Sequence, residues 1–528
     1  TLPSNLALAV GKEIDYVLLK KGDEYFIIGK NLLPKYKNEL SNDGENFDIL
    51  QEFKGEKLLG LKYIPLLPYL KNLAEVEAAE SSFTILHGDY VTTEDGTGIV
   101  HTAPGFGEDD QSVCKAVGIP TVCPVDDGGN FTSIVSTGKQ VFETNDLIII
   151  KLKEEGKWLK TEQYLHNYPH CWRTDTPLIY KAMSSWYVNV TAFKDKMMKN
   201  NEDINWIPNH VKHGRFGKWL EGARDWSITR NRFWGCPVPV WKSDDPNYPR
   251  IDVYGSLDEL ERDFGVRPTN LHRPYIDELA RPNPDDPTGK STMRRVTDVL
   301  DCWFESGSMP YAQFHYPFEN KEWFEEHFPA DFISEGDGQI RGWFYLLLVL
   351  STALFNKVPF KNCISYGTIV DETGKKLSKR LRNYVDPSDA FNLFGSDSIR
   401  WLMLKSPALK GEEIRIDKDG KDMKETLRIA IKPLWNAYSF FCLYANSDKI
   451  KAEKDFSSDN LMDRYILSKL TETVKNIDKY MSEYNASLSC KEAEDFFEVL
   501  NNWYIRRNKN RFWKSEKDDD TEHSICIR

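Results

Sequence analysis

The feature that most constrains this chain is a change in hydrophobic periodicity near residue 420. Before that point, short β-branched runs alternate with Gly and Asp turns, which predicts strands; they are "EYFIIGK", "FTILHGDYV", "TGIVHTAPG" and "DLIIIKL". Beyond it, apolar residues recur at three- and four-residue spacing, which predicts amphipathic helices packed as a bundle. The helical segments are "MKETLRIAIKPLWNAYSFFCLYA", "LMDRYILSKLTETVKNIDKYMSEY" and "CKEAEDFFEVLNNWYIRRNKNRFW".

A chain of 528 residues is too long for one hydrophobic core, so we expect about two to four domains. The pattern divides it into a strand-rich α/β domain over 1–165, a mixed domain over 166–410 and a helical domain over 411–528. In the middle domain, the apolar strand in "FKNCISYGTIV" suits a parallel sheet. The acidic ending "SEKDDDTEHSICIR" has no period, and we expect it to be frayed.

Charge and cysteine content exclude several classes of protein. A formal net charge of −12 argues against a generally basic nucleic-acid coat, so RNA contacts would need local basic patches. The nine cysteines are scattered singly, which favours reduced thiols in a cytosol-like compartment over a disulfide framework or zinc ribbon. The longest apolar run, "GWFYLLLVLSTALF", is shorter than the ~18 residues of a membrane span and predicts a buried helix.

The segment "DETGKKLSKRLRNYVDP" (371–387) concentrates positive charge in one loop of an acidic protein. It follows an apolar strand, and loops at the carboxyl ends of strands are where open α/β sheets bind ligands. Lys376 and Lys379, with Ser378 between them, could close on a polyphosphate and stabilise charge at the α-phosphate and on departing pyrophosphate. The loop alone is equally consistent with a solvated charged hairpin.

Several segments carry a family resemblance. "KLSKR" (376–380) resembles the KMSKS signature of class I aminoacyl-tRNA synthetases, and "DWSITRNRFWGCPVPVW" (225–241) resembles a segment of their isoleucine, leucine and valine branch. The stretches 298–320 and 331–355 resemble the isoleucyl-tRNA synthetases, nearest their eukaryote-like form. "LMDRYILSKL" and "NNWYIRRNKNRFW" are similar to that family's anticodon-binding domain.

This resemblance implies an α/β fold of three parts. Residues 166–410 would be the second half of a class I, Rossmann-like catalytic domain, and 1–165 an inserted strand-rich editing domain, incomplete at its amino end. Residues 411–528 would begin an all-α anticodon-binding bundle. The implied activity is ATP-dependent ligation of isoleucine to its tRNA through isoleucyl-adenylate, with ATP and Mg²⁺ as substrates. Hydrolytic editing of valyl-tRNA would accompany it.

Editing has a physical reason in such a family. Valine lacks one methylene, which an apolar pocket discriminates by only ~1–3 kcal/mol, and isoleucyl-tRNA synthetases are the standard example of this limit. The segment "GTGIVHTAPGFGEDD" (96–110) resembles the editing motif. By resemblance, Asp110 would bind the substrate α-ammonium, and the pocket would be lined by His101, Asn5 and Thr1. Taken alone, this segment also fits a Gly-rich hairpin with acids at a helix start.

In the synthetic site, the resemblance assigns ATP contacts to Lys376, Ser378, Lys379, Gly336 and Gln339, with Lys376 and Lys379 catalytic. The amino-acid pocket would be lined by Glu335, Asp337, Gln339 and Trp234. The family pattern E-G-x-D-Q appears here as "EGDGQ", so Asp337 lies one residue early. The family's H-x-G-H signature is absent, so we expect a fragment unable to activate amino acid alone.

Other partners also follow from the resemblance. Arg506, Arg507 and Arg511 lie among aromatic residues and would contact tRNA(Ile); a solvated helix face with core aromatics is the alternative. The zinc ligands of some relatives are missing, so no zinc or other metal site is expected. We further expect a cytoplasmic monomer, or a member of a multi-synthetase assembly, without membrane contact. The rival hypotheses are a stand-alone aminoacyl-tRNA deacylase and an inert truncated relic.

Overall fold

The structure is a computed structural model that describes residues 1–132, 138–163, 165–171, 173–449 and 458–513. The chain divides into two compact units, Thr1–Ser184 and Ser185–Arg528. The acidic ending at 515–528 lies outside the described residues.

The described part of the first unit holds two three-stranded sheets. Their strands are β1 (Ala7–Val10), β2 (Asp15–Lys21), β3 (Glu24–Gly29), β4 (Asp48–Lys54), β5 (Thr84–His87) and β6 (Ile99–Thr102). The sheet β5-β1-β6 has β1 parallel to β5 and antiparallel to β6, whereas β3-β2-β4 is antiparallel throughout. Three of the four strands expected from β-branched runs are therefore confirmed as β3, β5 and β6.

The fourth run, "DLIIIKL", is a helix, so its strand prediction was wrong. The helices of this unit are α1 (Lys37–Leu40), α2 (Ala74–Glu77), α3 (Glu108–Ala116) and α4 (Asn145–Glu154). In α4, Asp146 lies in the first turn and Lys151 and Lys153 in the last, both favourable to the helix dipole. Tertiary context outweighs the weak strand preference of three consecutive isoleucines.

The second unit contains several small sheets and most of the helices. Its strands are β7 (Tyr187–Val188), β8 (Asn205–Ile207), β9 (Trp226–Ser227), β10 (Thr229–Arg230), β11 (Val240–Ser243), β12 (Ile251–Val253), β13 (Arg281–Pro282), β14 (Thr292–Arg295), β15 (Val299–Leu300), β16 (Ala330–Gly336), β17 (Phe360–Tyr366), β18 (Ile369–Asp371) and β19 (Ile414–Ile416). The sheet β16-β17-β8 is parallel, as predicted from the apolar strand that became β17.

The helices of this unit are α5 (Lys194–Glu202), α6 (Gly217–Glu221), α7 (Leu257–Phe264), α8 (Cys302–Ala312), α9 (Lys321–His327), α10 (Trp343–Phe355), α11 (Pro387–Phe394), α12 (Ser396–Lys405), α13 (Lys421–Thr426), α14 (Lys432–Ser447), α15 (Leu461–Ser482), α16 (Ala486–Glu498) and α17 (Arg506–Trp513). Wider helical turns at Leu427–Ile431 and Val499–Ile505 connect α13 to α14 and α16 to α17. The three predicted amphipathic helices are thereby confirmed.

The core of the second unit forms around α10. Every residue of α10 from Phe344 to Thr352 is buried, and the helix packs in one apolar cluster with β8 and β17. The segment Asp337–Phe355 is long and apolar enough to cross a membrane, but most of it is buried inside this unit. Its buried position agrees with the prediction of a core helix.

Candidate functional site

The residues predicted to bind amino acid and ATP begin at the carboxyl edge of the parallel sheet. Glu335 and Gly336 end β16 and lie opposite Ser365 and Tyr366 of β17. The Glu335 carboxylate accepts hydrogen bonds from the Tyr366 hydroxyl (3.2 Å) and from the Gly336 amide (3.1 Å). Because parallel strands end at one edge of a sheet, this carboxylate stands where α/β proteins bind ligands.

The next turn fixes the remaining members of "EGDGQ". The Asp337 carboxylate accepts a 2.7 Å hydrogen bond from Nη1 of Arg215, a partner that the sequence did not predict. The Gln339 side chain accepts from the Trp343 amide (3.0 Å) and so caps the start of α10. Asp337 therefore has its charge partly neutralised by Arg215, and Gln339 holds the helix that follows.

Trp234 has an aromatic contact of its own, with His272. Its ring is 67% exposed and stacks on His272, with the ring centres 4.9 Å apart and the planes 6° from parallel. The adjacent Arg273 guanidinium lies 4.9 Å from the centre of the Phe233 ring and donates to the Arg232 carbonyl. His272 thus supports Trp234, and Arg273 holds the two residues before it; the sequence indicated neither role.

The lysine loop follows β18, which belongs to the two-stranded sheet β18-β19 and not to the sheet β16-β17-β8. Strand β18 pairs in parallel with β19, and Gly367, just before it, lies so close to Glu412 that a Cβ would be 1.9 Å from that carbonyl oxygen. Lys376 and Lys379 are both exposed, and neither has a carboxylate within ion-pair distance among the described residues. Two exposed ammonium groups without an ion-pair partner are suited to an anionic ligand, and their predicted role in binding ATP stays a prediction.

In the first unit, three of the four predicted editing residues share one hydrogen-bond network. Strand β1 runs antiparallel to β6, with Leu8 opposite His101, so the segment before β1 reaches the His101 ring. The His101 ring nitrogens lie 2.9 Å from Oγ1 of Thr1 and 3.3 Å from Nδ2 of Asn5. The Tyr63 hydroxyl, missed by the sequence prediction, donates to Oδ1 of Asn5 at 2.5 Å.

This network defines the protonation of His101. Nδ2 of Asn5 also donates to the Ala7 carbonyl, so it is a donor toward Nδ1 of His101 as well. The bonding pattern therefore assigns the ring proton to Nε2, which donates to Thr1. Burial and, to a smaller extent, the charge of the Thr1 amino group lower the pKa of His101 to about 4, so the ring is neutral near pH 7.

Neutral His101 predicts a loss of stability in acid. The pKa is about 4 in the folded chain and ~6.5 in the unfolded chain, so the unfolded state binds more protons between these values. Stability then falls as pH drops from ~6.5 toward 4. Between pH 7 and pH 5 we expect the free energy of unfolding to fall by about 1–2 kcal/mol, with allowance for partial exposure of the ring. Urea unfolding of His101→Gln should lose this pH dependence, and His87→Gln, a control in the same sheet, should retain it.

Asp110, the fourth predicted editing residue, lies in the first turn of α3. Its Oδ2 accepts a 2.8 Å hydrogen bond from the Ala103 amide. Burial raises the pKa of Asp110, and the Ala103 hydrogen bond opposes that shift. A Cβ on Gly107 would lie 2.9 Å from the Asp110 carboxyl carbon, so glycine leaves room for this side chain. Asp110 is thus a half-buried carboxylate held by the backbone.

A cavity of about 310 Å³ adjoins this network at Thr1. Its walls are mainly apolar or aromatic, with Thr1 and Ser4 among the polar lining residues; the apolar members include Phe106, Val125, Phe131, Val141, Ile148 and Ile179. A cavity of this size and composition suits a small aliphatic group with a polar end.

The predicted tRNA contacts separate into two kinds. Arg506 and Arg507 are exposed, and the Arg507 guanidinium lies 5.0 Å from the centre of the Trp503 ring. Arg511 is 14% exposed, and its guanidinium forms a bidentate pair with the fully buried Asp463, at 2.7 and 2.9 Å. This placement gives Arg511 a structural role inside the bundle, one that the sequence prediction had not included.

No metal-ligand cluster of three His, Cys, Asp or Glu side chains occurs among the described residues. The expected absence of zinc stays a prediction.

Comparison with known proteins identifies the family. The family model "tRNA synthetases class I (I, L, M and V)" matches residues 34–416, and the model "Anticodon-binding domain of tRNA ligase" matches 463–527. Two Isoleucine--tRNA ligases, from Rickettsia bellii (strain OSU 85-389) and Rickettsia peacockii (strain Rustic), are 63% and 62% identical to this chain over 99% of its length. The chain covers 47% of each, so it spans about half the length of these curated relatives.

Among solved structures, one that aligns with this chain is a Mycobacterium tuberculosis methionyl-tRNA synthetase in complex with methionyl-adenylate. The alignment covers 84% of this chain and 80% of that synthetase chain. The identity is 15% and the TM-score 0.48, which does not establish a shared fold. The family models, in contrast, confirm the predicted fold class as a class I catalytic domain followed by a helical anticodon-binding region. The first model covers more than half of the chain, which therefore belongs to the class I tRNA synthetases of the isoleucine, leucine, methionine and valine group.

Proposed function

We propose that this chain supplies the lysine loop, part of the amino-acid site and the first anticodon-binding helices of an ATP-dependent isoleucine--tRNA ligase. The observation that carries this proposal is the pair of exposed ammonium groups, Lys376 and Lys379, which follow the parallel pair β18-β19 and have no ion-pair partner among the described residues. Glu335 ends β16, in the sheet β16-β17-β8 of the same unit. Identity of 63% to an Isoleucine--tRNA ligase along 99% of the chain supports isoleucine as the amino acid.

The chemistry follows from where charge develops. The isoleucine carboxylate oxygen attacks the α-phosphorus of ATP, the bond to the bridging oxygen breaks, and pyrophosphate leaves with the electron pair. Lys376 and Lys379 would stabilise the negative charge on the α-phosphate and on pyrophosphate as the bond breaks. The isoleucyl-adenylate would then transfer its acyl group to a terminal hydroxyl of tRNA, with AMP as leaving group.

The test of synthesis is isoleucine-dependent exchange of pyrophosphate into ATP. Because the chain covers 47% of its relatives, the assay uses Rickettsia bellii ligase in which the matching segment is replaced by this chain. We expect exchange near that of the parent enzyme from the segment-swapped protein, and none from the 528-residue chain alone. A swapped protein that folds and binds tRNA without exchanging pyrophosphate would overturn the proposal.

We further propose that the first unit hydrolyses mischarged valyl-tRNA. The cavity beside Thr1 suits a small aliphatic side chain, and Asp110 offers a carboxylate for the substrate α-ammonium. Neutral His101 and Asn5 would hold the ester or the attacking water through their hydrogen bonds. Because Thr1, Asn5, His101 and Asp110 all lie in one unit, a second candidate function is a deacylase active without the rest of the enzyme.

Asp110 provides the sharpest test of editing. Asp110→Asn keeps an oxygen for the Ala103 amide but removes the charge, so we expect valyl-tRNA hydrolysis to fall by about 10²-fold or more with an unchanged melting temperature. Asp110→Ala should abolish hydrolysis. The matched control is Asp109→Ala, an exposed carboxylate in the same helical turn, which should hydrolyse at the wild-type rate. Undiminished hydrolysis by Asp110→Asn would remove this residue from the mechanism.

A further inference from the structure

Asn383 occupies a central position under the lysine loop. Its Nδ2 donates to Oδ2 of Asp371 (2.7 Å) and to the Lys376 carbonyl (3.3 Å), while its Oδ1 accepts from the Ser378 amide (3.0 Å). One side chain therefore joins the end of β18 to the backbone on either side of Leu377. The ammonium groups of the lysines remain exposed, so this amide holds the loop backbone and leaves both charges free.

Asp371 is the fixed end of this connection. Its Oδ1 accepts from the Thr373 amide, the Thr373 hydroxyl and the Lys375 amide, which closes the turn before the lysines. The hydrogen bond from Asn383, with those from Thr373 and Lys375, holds the pKa of Asp371 well below its usual range. Asp371 is thus ionised near neutral pH, and its bond to Asn383 is charge-assisted and stronger than a neutral one.

We propose that Asn383 is a positioning residue for the nucleotide-binding loop, setting the placement of Lys376 and Lys379 against a nucleoside triphosphate by bridging Asp371 to Lys376 and Ser378. The inference rests on the proposed function and deepens it. Lysine ammonium groups sit on flexible four-carbon stems, so their reach toward a phosphate is set by where the backbone is held. A displacement of 1 Å at a catalytic group can cost about 10²-fold in rate.

The hydrogen bond from Asn383 to Asp371 has one donor and one acceptor, so it can be tested by swapping the two residue types. Asp371→Asn places two amide NH₂ groups face to face, and Asn383→Asp places two carboxylates face to face, so each single variant breaks the bond. The double variant Asp371→Asn/Asn383→Asp restores it with donor and acceptor reversed. It also keeps an oxygen for the turn at Thr373 and another for the Ser378 amide. Only the contact to the Lys376 carbonyl is lost.

The first measurement is limited trypsin cleavage within 375–382 of the 528-residue chain, followed by mass spectrometry. We expect Asn383→Ala and Asn383→Asp to be cleaved about tenfold faster than wild type, and the double variant to return within about threefold of it. Asn247→Ala is the matched control, since it removes a similar bond to Asp245 in another exposed turn. If Asn383→Ala and Asn383→Asp are both cleaved at the wild-type rate, the inference is overturned, independently of the rate of pyrophosphate exchange.

The second measurement is the kinetics of pyrophosphate exchange in the segment-swapped ligase. A positioning role predicts that Asn383→Ala lowers kcat at least about 30-fold while the KM for ATP changes less than about threefold, with recovery in the double variant. If Asn383→Ala is cleaved faster but the segment-swapped ligase carrying it exchanges pyrophosphate at the wild-type rate, Asn383 does not position the lysines. The proposed function would then still stand. Absence of exchange in the unmutated swap, by contrast, overturns the proposed function itself, and the catalytic role of Asn383 with it.

Discussion

Replacing Lys376 and Lys379 together by alanine is expected to lower isoleucine-dependent pyrophosphate exchange by at least about 10³-fold in the segment-swapped ligase. The loss of one preorganised charge donor typically costs about 10²–10³-fold in kcat. The two lysines act on the same developing charge, so their effects need not multiply. Both side chains are exposed and form no ion pair among the described residues, so their loss should not destabilise the fold.

The measurement is the exchange rate at saturating ATP and isoleucine, with the melting temperature taken on the same samples. Lys418→Ala is the control, because Lys418 is also an exposed lysine in a turn, but lies outside the loop, and its replacement should leave exchange unchanged. Single variants should each lose about 10²-fold or more. If the double variant exchanged pyrophosphate within a few-fold of wild type, the loop would have no catalytic part in amino-acid activation.

Replacing Asp463 by alanine is expected to destabilise the helical bundle by about 3–5 kcal/mol, the usual cost of removing one partner of a buried ion pair. The carboxylate is fully buried and receives Arg511, the Tyr504 hydroxyl (2.7 Å) and the Ser458 hydroxyl (2.8 Å). Burial raises the pKa of Tyr504, so its hydroxyl stays protonated and can donate. Alanine would leave the Arg511 guanidinium without its counter-charge.

Hydrogen exchange of the amides in α15 and α16 measures this loss within the bundle, independently of the other unit. Glu472→Ala is the control: it breaks the exposed pair with Lys469 on the same α15 helix and should change protection by less than about 1 kcal/mol. The combined change Asp463→Leu/Arg511→Met should recover much of the loss, because a buried pair can be replaced by apolar groups of similar volume. Equal protection of wild type and Asp463→Ala would contradict this account.

Much of the architecture was determined by local pattern. Three- and four-residue spacing located the helices that became 421–447, α15 and 486–513, and the length and composition of the "GWFYLLLVLSTALF" run predicted a buried helix. The motif "KLSKR" located the loop after an apolar run, and the structure divides that run into β17 and β18, with the loop after β18. These features are readable because a helix, a strand or a turn is specified by residues within one or two turns of each other.

Contacts between distant residues could be decided only by tertiary structure. Arg511 belongs to a basic, aromatic stretch, yet its partner Asp463 is 48 residues away, and no local rule connects them. The residues next to Asn383 in the sequence do not indicate what its side chain binds. Its position beneath the loop is set by the return of the chain to Asp371. The run "DLIIIKL" has the composition of a strand and forms α4. Which residues meet across the fold depends on the packing of whole elements, and residue type and spacing carry little information about that packing.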